Sequence, residues 1–253
     1  MNKHFDLTGR VALVTGGNKG LGKAMALGLA QAGADIFISS RNEEELRATL
    51  DEIVKGTGRK GACCVADMNN REDVSRLAKT AIEKMGRVDI LINNAGMNAP
   101  QAIDAITDEM WDTVVETNLT SVMALTRAIV PQMRARKWGR VIHISSIMAI
   151  VSKEKRNVYS ATKAALVGMA HASAIDLGHD GVTVNCIAPG PFLTDMPGKL
   201  LSAEEKKAFA AMTALNRWAD PAELVGPMLL LASDAGSYIT GHTLVVDGGY
   251  LVR

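Results

Sequence analysis

Short apolar runs alternate along the chain with longer stretches in which apolar residues recur every three or four positions. The runs fall at residues 10–16 (RVALVTG), 35–39 (DIFIS), 61–67 (GACCVAD), 88–96 (VDILINNAG), 139–146 (GRVIHISS), 181–190 (GVTVNCIAPG) and 241–249 (GHTLVVDGG). They are almost continuously apolar, the mark of strands covered on both faces, as in a parallel sheet. Between them lie helical patterns at 21–33, 42–56, 70–86, 107–136 and 157–178, with a further one at 202–215. The pattern at 42–56 opens on Asn42, carries acids in its first turn and stops at Gly56, a complete set of helix-end signals. Repeated β-α units with right-handed crossovers predict an α/β fold built on one doubly wound sheet of seven parallel strands flanked by helices. No Pro- or Ser-rich linker divides the chain, so residues 1–253 read as a single domain. Residues 191–214 are the least regular: Pro191, Pro197 and Gly198 precede the last helical pattern. They read as a flap over a substrate or as an ordinary surface excursion, and the flap is the expectation carried forward.

Charge removes some functions from consideration. Lys plus Arg number 28 and Asp plus Glu 27, a net charge of +1, so no basic field draws in nucleic acid or an anionic membrane. No run of about 18 apolar residues occurs, and the first ten residues lack the apolar stretch of a signal peptide. Of three cysteines, Cys63 and Cys64 are adjacent in an apolar run and are expected in the core; no C-x-x-C spacing suggests zinc or a redox pair. The scattered histidines share no ligand spacing, so no metal is expected, and His143 reads as a packed, hydrogen-bonded residue. The expectation is a soluble protein of the reducing cytoplasm.

The first β-α junction carries the first chemistry. Gly16, Asn18, Lys19, Gly20, Leu21 and Gly22 lie in a turn spaced G-x-x-x-G-x-G. Glycines there let backbone N–H groups approach a pyrophosphate at a helix N-terminus. No Gly-Lys-Ser/Thr follows, which excludes a P-loop. Where a carboxylate would bind the ribose 2′-OH of NAD, the chain has Ser39, Ser40 and Arg41. Arg41, with Lys19 as a second cation, suits a 2′-phosphate, so NADP is expected over NAD. Farther on, Tyr159 stands four residues before Lys163, one helical turn apart on one face. An ammonium beside a phenol favours the phenolate and would let a weak acid exchange protons near neutral pH.

Thr15 to Gly22, N-N-A-G at Asn93 to Gly96, Asn118, Ser146, Tyr159 with Lys163, and A-P-G at Ala188 to Gly190 occur in that order. Together they resemble the short-chain dehydrogenase/reductase family from about Leu7 to Gly249. The resemblance implies a Rossmann-type sheet and a hydride transfer between a nicotinamide cofactor and a carbonyl. By it, Tyr159 is the acid/base and Lys163 binds the nicotinamide ribose and lowers the phenol's pKa. Ser146 holds the substrate oxygen, with Ser145 a rival by adjacency, and Asn118 holds a water in a proton relay. Asp67 and Met68 contact the adenine, and Asn94, Ala95 and Gly96 wall the adenosine side. Pro189, Gly190 and Thr194 face the nicotinamide. Met97, Met148 and Met196 line the pocket.

Between Ser146 and Tyr159, Lys153, Lys155 and Arg156 form a basic loop, either a solvated face or an attractor of acidic substrates. Segments such as MALGLAQAGADI and APGPFLTDM resemble the family's sugar-acid dehydrogenases, and the same layout is shared by its 3-oxoacyl-carrier-protein reductases. The expected reaction interconverts a secondary alcohol and a ketone on a small-molecule substrate. A non-catalytic NADP-sensing binding protein and a structural subunit are the alternatives from other classes. The resemblance also implies a homotetramer.

Overall fold

Each apolar run forms a strand: β1 (Val11–Thr15), β2 (Asp35–Ser40), β3 (Gly61–Val65), β4 (Ile90–Asn93), β5 (Gly139–Ile144), β6 (Val182–Pro189) and β7 (Thr243–Val246). In the computed structural model, which describes residues 3–194 and 202–253, they form one sheet in the order β3-β2-β1-β4-β5-β6-β7. Every pairing is parallel. The helices are α1 (Gly20–Gln31), α2 (Glu43–Thr57), α3 (Arg71–Met85), α4 (Asp108–Val115), α5 (Ser121–Ala135), α6 (Asn157–Leu177), α7 (Ala203–Ala211) and α8 (Val225–Ala232).

Alternation of side chains along the strands divides the core into two layers. Val14, Ile36, Ile38, Ile92 and Ile142 pack under α1, α2 and α8, whereas Leu13, Phe37, Leu91 and Val141 pack under α3, α5 and α6. The edge strands are covered less completely. Cys63 and Cys64, expected in the core, are half-buried because β3 is an edge strand with a neighbour on one side only. Cys186, in the interior strand β6, is fully buried.

Helix ends follow local chemistry. The Asn42 side chain accepts from the Glu45 N–H at 3.1 Å, and Asn70 caps α3 in the same way. The expected stop of α2 at Gly56 is two residues early. The helix runs to Thr57, and Gly58 takes the left-handed turn (φ 66°), a conformation that favours glycine. The pattern at 107–136 forms α4 and α5 joined by a π turn over Glu116–Thr120, which carries Asn118. Single π turns inside helices concentrate at functional sites.

The chain leaves β1 in one direction along the sheet and, after β3, crosses back to place β4 on the other side of β1. At such a switch point the connections leave a crevice beyond the C-terminal ends of the strands, where ligands bind in open α/β sheets. The glycine turn follows β1 and the N-N-A-G segment follows β4, so the two motifs face each other across that crevice. Among the described residues no helix is long and apolar enough to cross a membrane, and no group of His, Cys, Asp or Glu is arranged to hold a metal.

Candidate active site

A cleft of about 520 Å3 runs over the switch point, lined at one end by Ser40 and Arg41 and at the other by Ser146 and Tyr159. Every residue singled out from the sequence for the cofactor lines it, from Gly16, Asn18, Lys19, Gly20, Leu21 and Gly22 through Asp67, Met68, Asn94, Ala95 and Gly96 to Pro189, Gly190 and Thr194.

The glycine turn is fastened to β4 by its own sequence neighbours. Thr15 Oγ1 accepts from the backbone N–H groups of Asn94 and Ala95, both at 3.0 Å. Asn94 Nδ2 donates to the Thr15 carbonyl at 2.8 Å and to the Gly16 carbonyl at 3.2 Å. Asn94 therefore holds the turn's shape as well as walling the cleft. Gly16 and Gly20 take left-handed φ values of 63° and 54°. A Cβ on Gly22 would overlap the Gly16 carbonyl oxygen and stand 2.6 Å from Asn94 Nδ2. The bare first turn of α1 thus presents backbone N–H groups to the crevice, a cradle suited to a pyrophosphate.

At the β2 end, Arg41 is exposed and Ser40 half-buried at the close of the strand. Asn18 Nδ2 donates to Glu45 Oε2 at 2.7 Å, so the one carboxylate of α2 that lines the cleft is already engaged. Asp67 Oδ1 accepts from the Asn69 N–H at 2.9 Å, which fixes the turn beside the buried Met68.

At the other end, β5 and α6 deliver the candidate catalytic groups. Ser145, which faces α6, donates its hydroxyl to the Lys163 carbonyl at 2.8 Å. That hydroxyl is spent on joining strand to helix. Ser146, past the strand end, accepts from the Met148 N–H at 3.1 Å, and its hydroxyl is near enough to the Tyr159 hydroxyl to oppose the rise in its pKa. Of the two serines, only Ser146 has its hydroxyl beside the phenol. Lys163 Nζ donates to the Ile144 carbonyl at 2.7 Å and lies 5.6 Å from the centroid of the Tyr159 ring. A Cβ on Gly96 would come within 3.4 Å of that ammonium. Asn118 lies behind this wall and does not line the cleft. Its Oδ1 accepts from the Met97 N–H at 2.8 Å, and its Nδ2 donates to the Met97 carbonyl at 2.9 Å and to Thr162 Oγ1 at 3.2 Å. The amide braces the N-N-A-G segment against α6.

Burial raises the Tyr159 hydroxyl above its ordinary value. The Ser146 hydroxyl and then the Arg156 charge oppose that rise. Burial pulls the Lys163 ammonium itself down to about 8, with Cys186 opposing weakly. Lysine and tyrosine, nearly equal in proton affinity in water, are thereby driven apart, with the ammonium the more acidic of the two.

His143, in the middle of β5, is fully buried and pairs through Nδ1 with Asn93 Nδ2 at 3.0 Å. Burial, assisted by the Lys163 charge, lowers it to about 4. Because the unfolded chain takes up this proton near pH 6.5, the stability from a neutral His143 is complete above that pH. It is lost as pH falls toward 4, by about 3 kcal/mol at about 1.4 per unit. Chemical unfolding of His143→Gln at pH 7 and pH 5 is expected to show a smaller acid-induced loss than the wild type.

The cleft also has a wall that the motifs did not announce. Phe209 from α7 and Trp218 line it, with ring centroids 5.5 Å apart. Trp218 Nε1 donates to the Lys206 carbonyl at 2.8 Å, which ties it to α7. Helix α7 is set by a capping box between Ser202 and Glu205. Met97 and Met148 line the cleft as expected. Met196 lies outside the described residues, as does part of the expected flap.

Comparison with known proteins agrees with this geometry. A family profile described as Enoyl-(Acyl carrier protein) reductase matches residues 16–251. The chain is 36% identical over 245 residues to the 3-oxoacyl-[acyl-carrier-protein] reductase FabG of Vibrio cholerae, covering 97% of this chain and 98% of that one. It is 38% identical over 258 aligned positions to the 2-dehydro-3-deoxy-D-gluconate 5-dehydrogenase of Pseudoalteromonas atlantica, covering 100% of both. A gluconate 5-dehydrogenase from Burkholderia cenocepacia, solved in complex with NADP and tartrate, superposes with a TM-score of 0.93 at 32% identity, over 99% of this chain and 98% of that one.

Proposed function

The chain belongs to the short-chain dehydrogenase/reductase family, and from that membership we propose that it is an NADP-preferring oxidoreductase interconverting a secondary alcohol and a ketone on a small acidic substrate such as a sugar acid. One observation carries this reading: a single cleft joins a glycine cradle and Arg41 at one end to Ser146, Tyr159 and Lys163 at the other. The bare glycine turn fits the pyrophosphate, and Arg41 with Ser40 and Lys19 fits a 2′-phosphate. Bound there, the cofactor supplies or accepts the hydride.

The chain's own residues do the rest. As negative charge develops on the carbonyl oxygen, the Tyr159 hydroxyl gives it a proton, and in the reverse direction takes one from the alcohol. The Ser146 hydroxyl, beside the phenol, fixes the same oxygen by a hydrogen bond. Lys163 holds the ribose hydroxyls and keeps a positive charge on the tyrosine's face of α6. Asn118 acts as a positioning residue by holding the segment at Met97 against α6. Residues 191–214 serve as the substrate flap, a role supported by Phe209 on the cleft wall.

A panel followed by nicotinamide absorbance tests the reading: NADPH with 5-keto-D-gluconate, other keto acids, neutral ketones and acetoacetyl thioesters. Turnover of keto acids is expected; no turnover of any carbonyl compound would sink it. A 3-oxoacyl-carrier-protein reductase is the second reading, favoured by the identity to the Vibrio cholerae protein, and preferential turnover of the thioester would establish it.

Arg41→Ser is expected to weaken NADPH about ten- to a hundredfold and leave NADH within about twofold, the loss of one charge-assisted contact. Equal effects on the two cofactors would remove Arg41 from the phosphate site. Arg156→Gln removes a charge that holds the phenol's pKa down. In the oxidising direction, which needs the phenolate, the rising limb of kcat/KM against pH is expected to move to higher pH. We also place the protein in the cytoplasm as a homotetramer, for which sedimentation at a monomer's mass is the contradicting result.

A further inference from the structure

The loop between Ser146 and α6 carries three cations, and the structure separates them. Lys155, exposed with a left-handed φ of 62°, does not line the cleft. Lys153 and Arg156 do. Arg156 is half-buried directly ahead of α6, and its Nη1 is buried with no hydrogen-bond partner. Lys153, on the rim, has Nζ 4.8 Å from the centroid of the Phe209 ring, so it is steered over the cleft's aromatic wall. The charge that acts most on Lys153 is the like charge of Arg156, ahead of the Glu205 carboxylate. No carboxylate acts appreciably on Arg156. Two neighbouring cations, one with a buried unsatisfied donor, are costly unless an anion lies between them.

We propose that Lys153 and Arg156 are the docking site for the substrate's carboxylate, so that the protein acts on hydroxy and keto acids held with their reacting carbon against Ser146 and Tyr159. The inference rests on the reaction proposed above and sharpens its substrate class. A planar guanidinium with an unpartnered N–H suits a carboxylate, and the Lys153 ammonium adds a second contact. An acyl thioester offers no charge near its reacting carbonyl to occupy this pair.

The test compares D-gluconate with D-gluconamide, which share a carbon skeleton and differ in one charge. Calorimetric titrations are run with and without NADP on the full chain. Gluconate is expected to bind at least about tenfold more tightly than the amide, the value of one or two charge-assisted contacts. The double variant Lys153→Gln/Arg156→Gln is expected to lose that preference while unfolding at the wild-type temperature. Equal binding of acid and amide by the wild type overturns the proposal, as does a double variant that keeps the preference. If the double variant fails to fold, Arg156→Lys and Lys153→Gln singly are expected each to reduce the preference, and an undiminished preference in both overturns it. Reduction of neutral carbonyls without any acid preference defeats the docking site alone. An acid preference in a protein that binds no NADPH defeats the oxidoreductase reading alone.

Discussion

Tyr159→Phe is expected to abolish turnover and leave NADPH binding within about twofold of the wild type. The substitution keeps the ring and its place beside Lys163 and removes only the hydroxyl near Ser146. Losing a positioned general acid/base costs about 10²- to 10⁴-fold in rate. Here the loss should approach the upper figure, because Ser145 is committed to the Lys163 carbonyl and His143 is buried within β5. No other titratable hydroxyl of the described residues stands beside Ser146 to take over. The measurement is kcat in NADPH oxidation beside an NADPH binding titration. A variant that keeps wild-type turnover removes the phenol from the mechanism. A protein whose cellular function survives the substitution is a sensor of NADP rather than an enzyme.

Gly22→Ala should eliminate cofactor binding and lower stability together. The added methyl group would meet the Gly16 carbonyl oxygen and Asn94 Nδ2, both fixed by the bonds that tie the glycine turn to β4. The Gly16 oxygen is backbone and the Asn94 amide is held by two hydrogen bonds, so the turn must deform. Overpacking of this kind costs about 1–3 kcal/mol, and the same deformation removes the N–H cradle. Thermal unfolding and NADPH titration of the variant are the checks. Gly56→Ala is the control, since nothing stands within 4 Å of where its Cβ would project. Unaltered NADPH affinity in Gly22→Ala would mean that the pyrophosphate binds elsewhere.

Much of this architecture could be read from residue order, for physical reasons that vary by element. The strands were legible because strands buried on both faces must be apolar at every position, and the helix starts because Asn42 and Asn70 accept from the first-turn N–H groups. The pairing of Tyr159 with Lys163 follows from helical periodicity alone. Other features depend on what a segment meets in space. No Gly or Pro marks the π turn at Asn118, so the run at 107–136 reads as one helix. Sheet order decides that Cys63 and Cys64 sit on an edge. The choice of Ser146 over Ser145 is visible only once α6 is laid against β5. Phe209 and Trp218 reach the cleft through packing between segments distant in sequence. A left-handed residue, Lys155, turns one of three similar cations away from the cleft.

The central claim is that one cleft takes a phosphorylated nicotinamide dinucleotide between Arg41 and Tyr159. The most direct test is a fluorescence titration of the wild-type protein with NADPH and, separately, NADH. Saturable binding is expected for both, with NADPH tighter by at least about tenfold, the value of one charge-assisted phosphate contact. Tighter binding of NADH, or no saturable binding of either, would contradict the account.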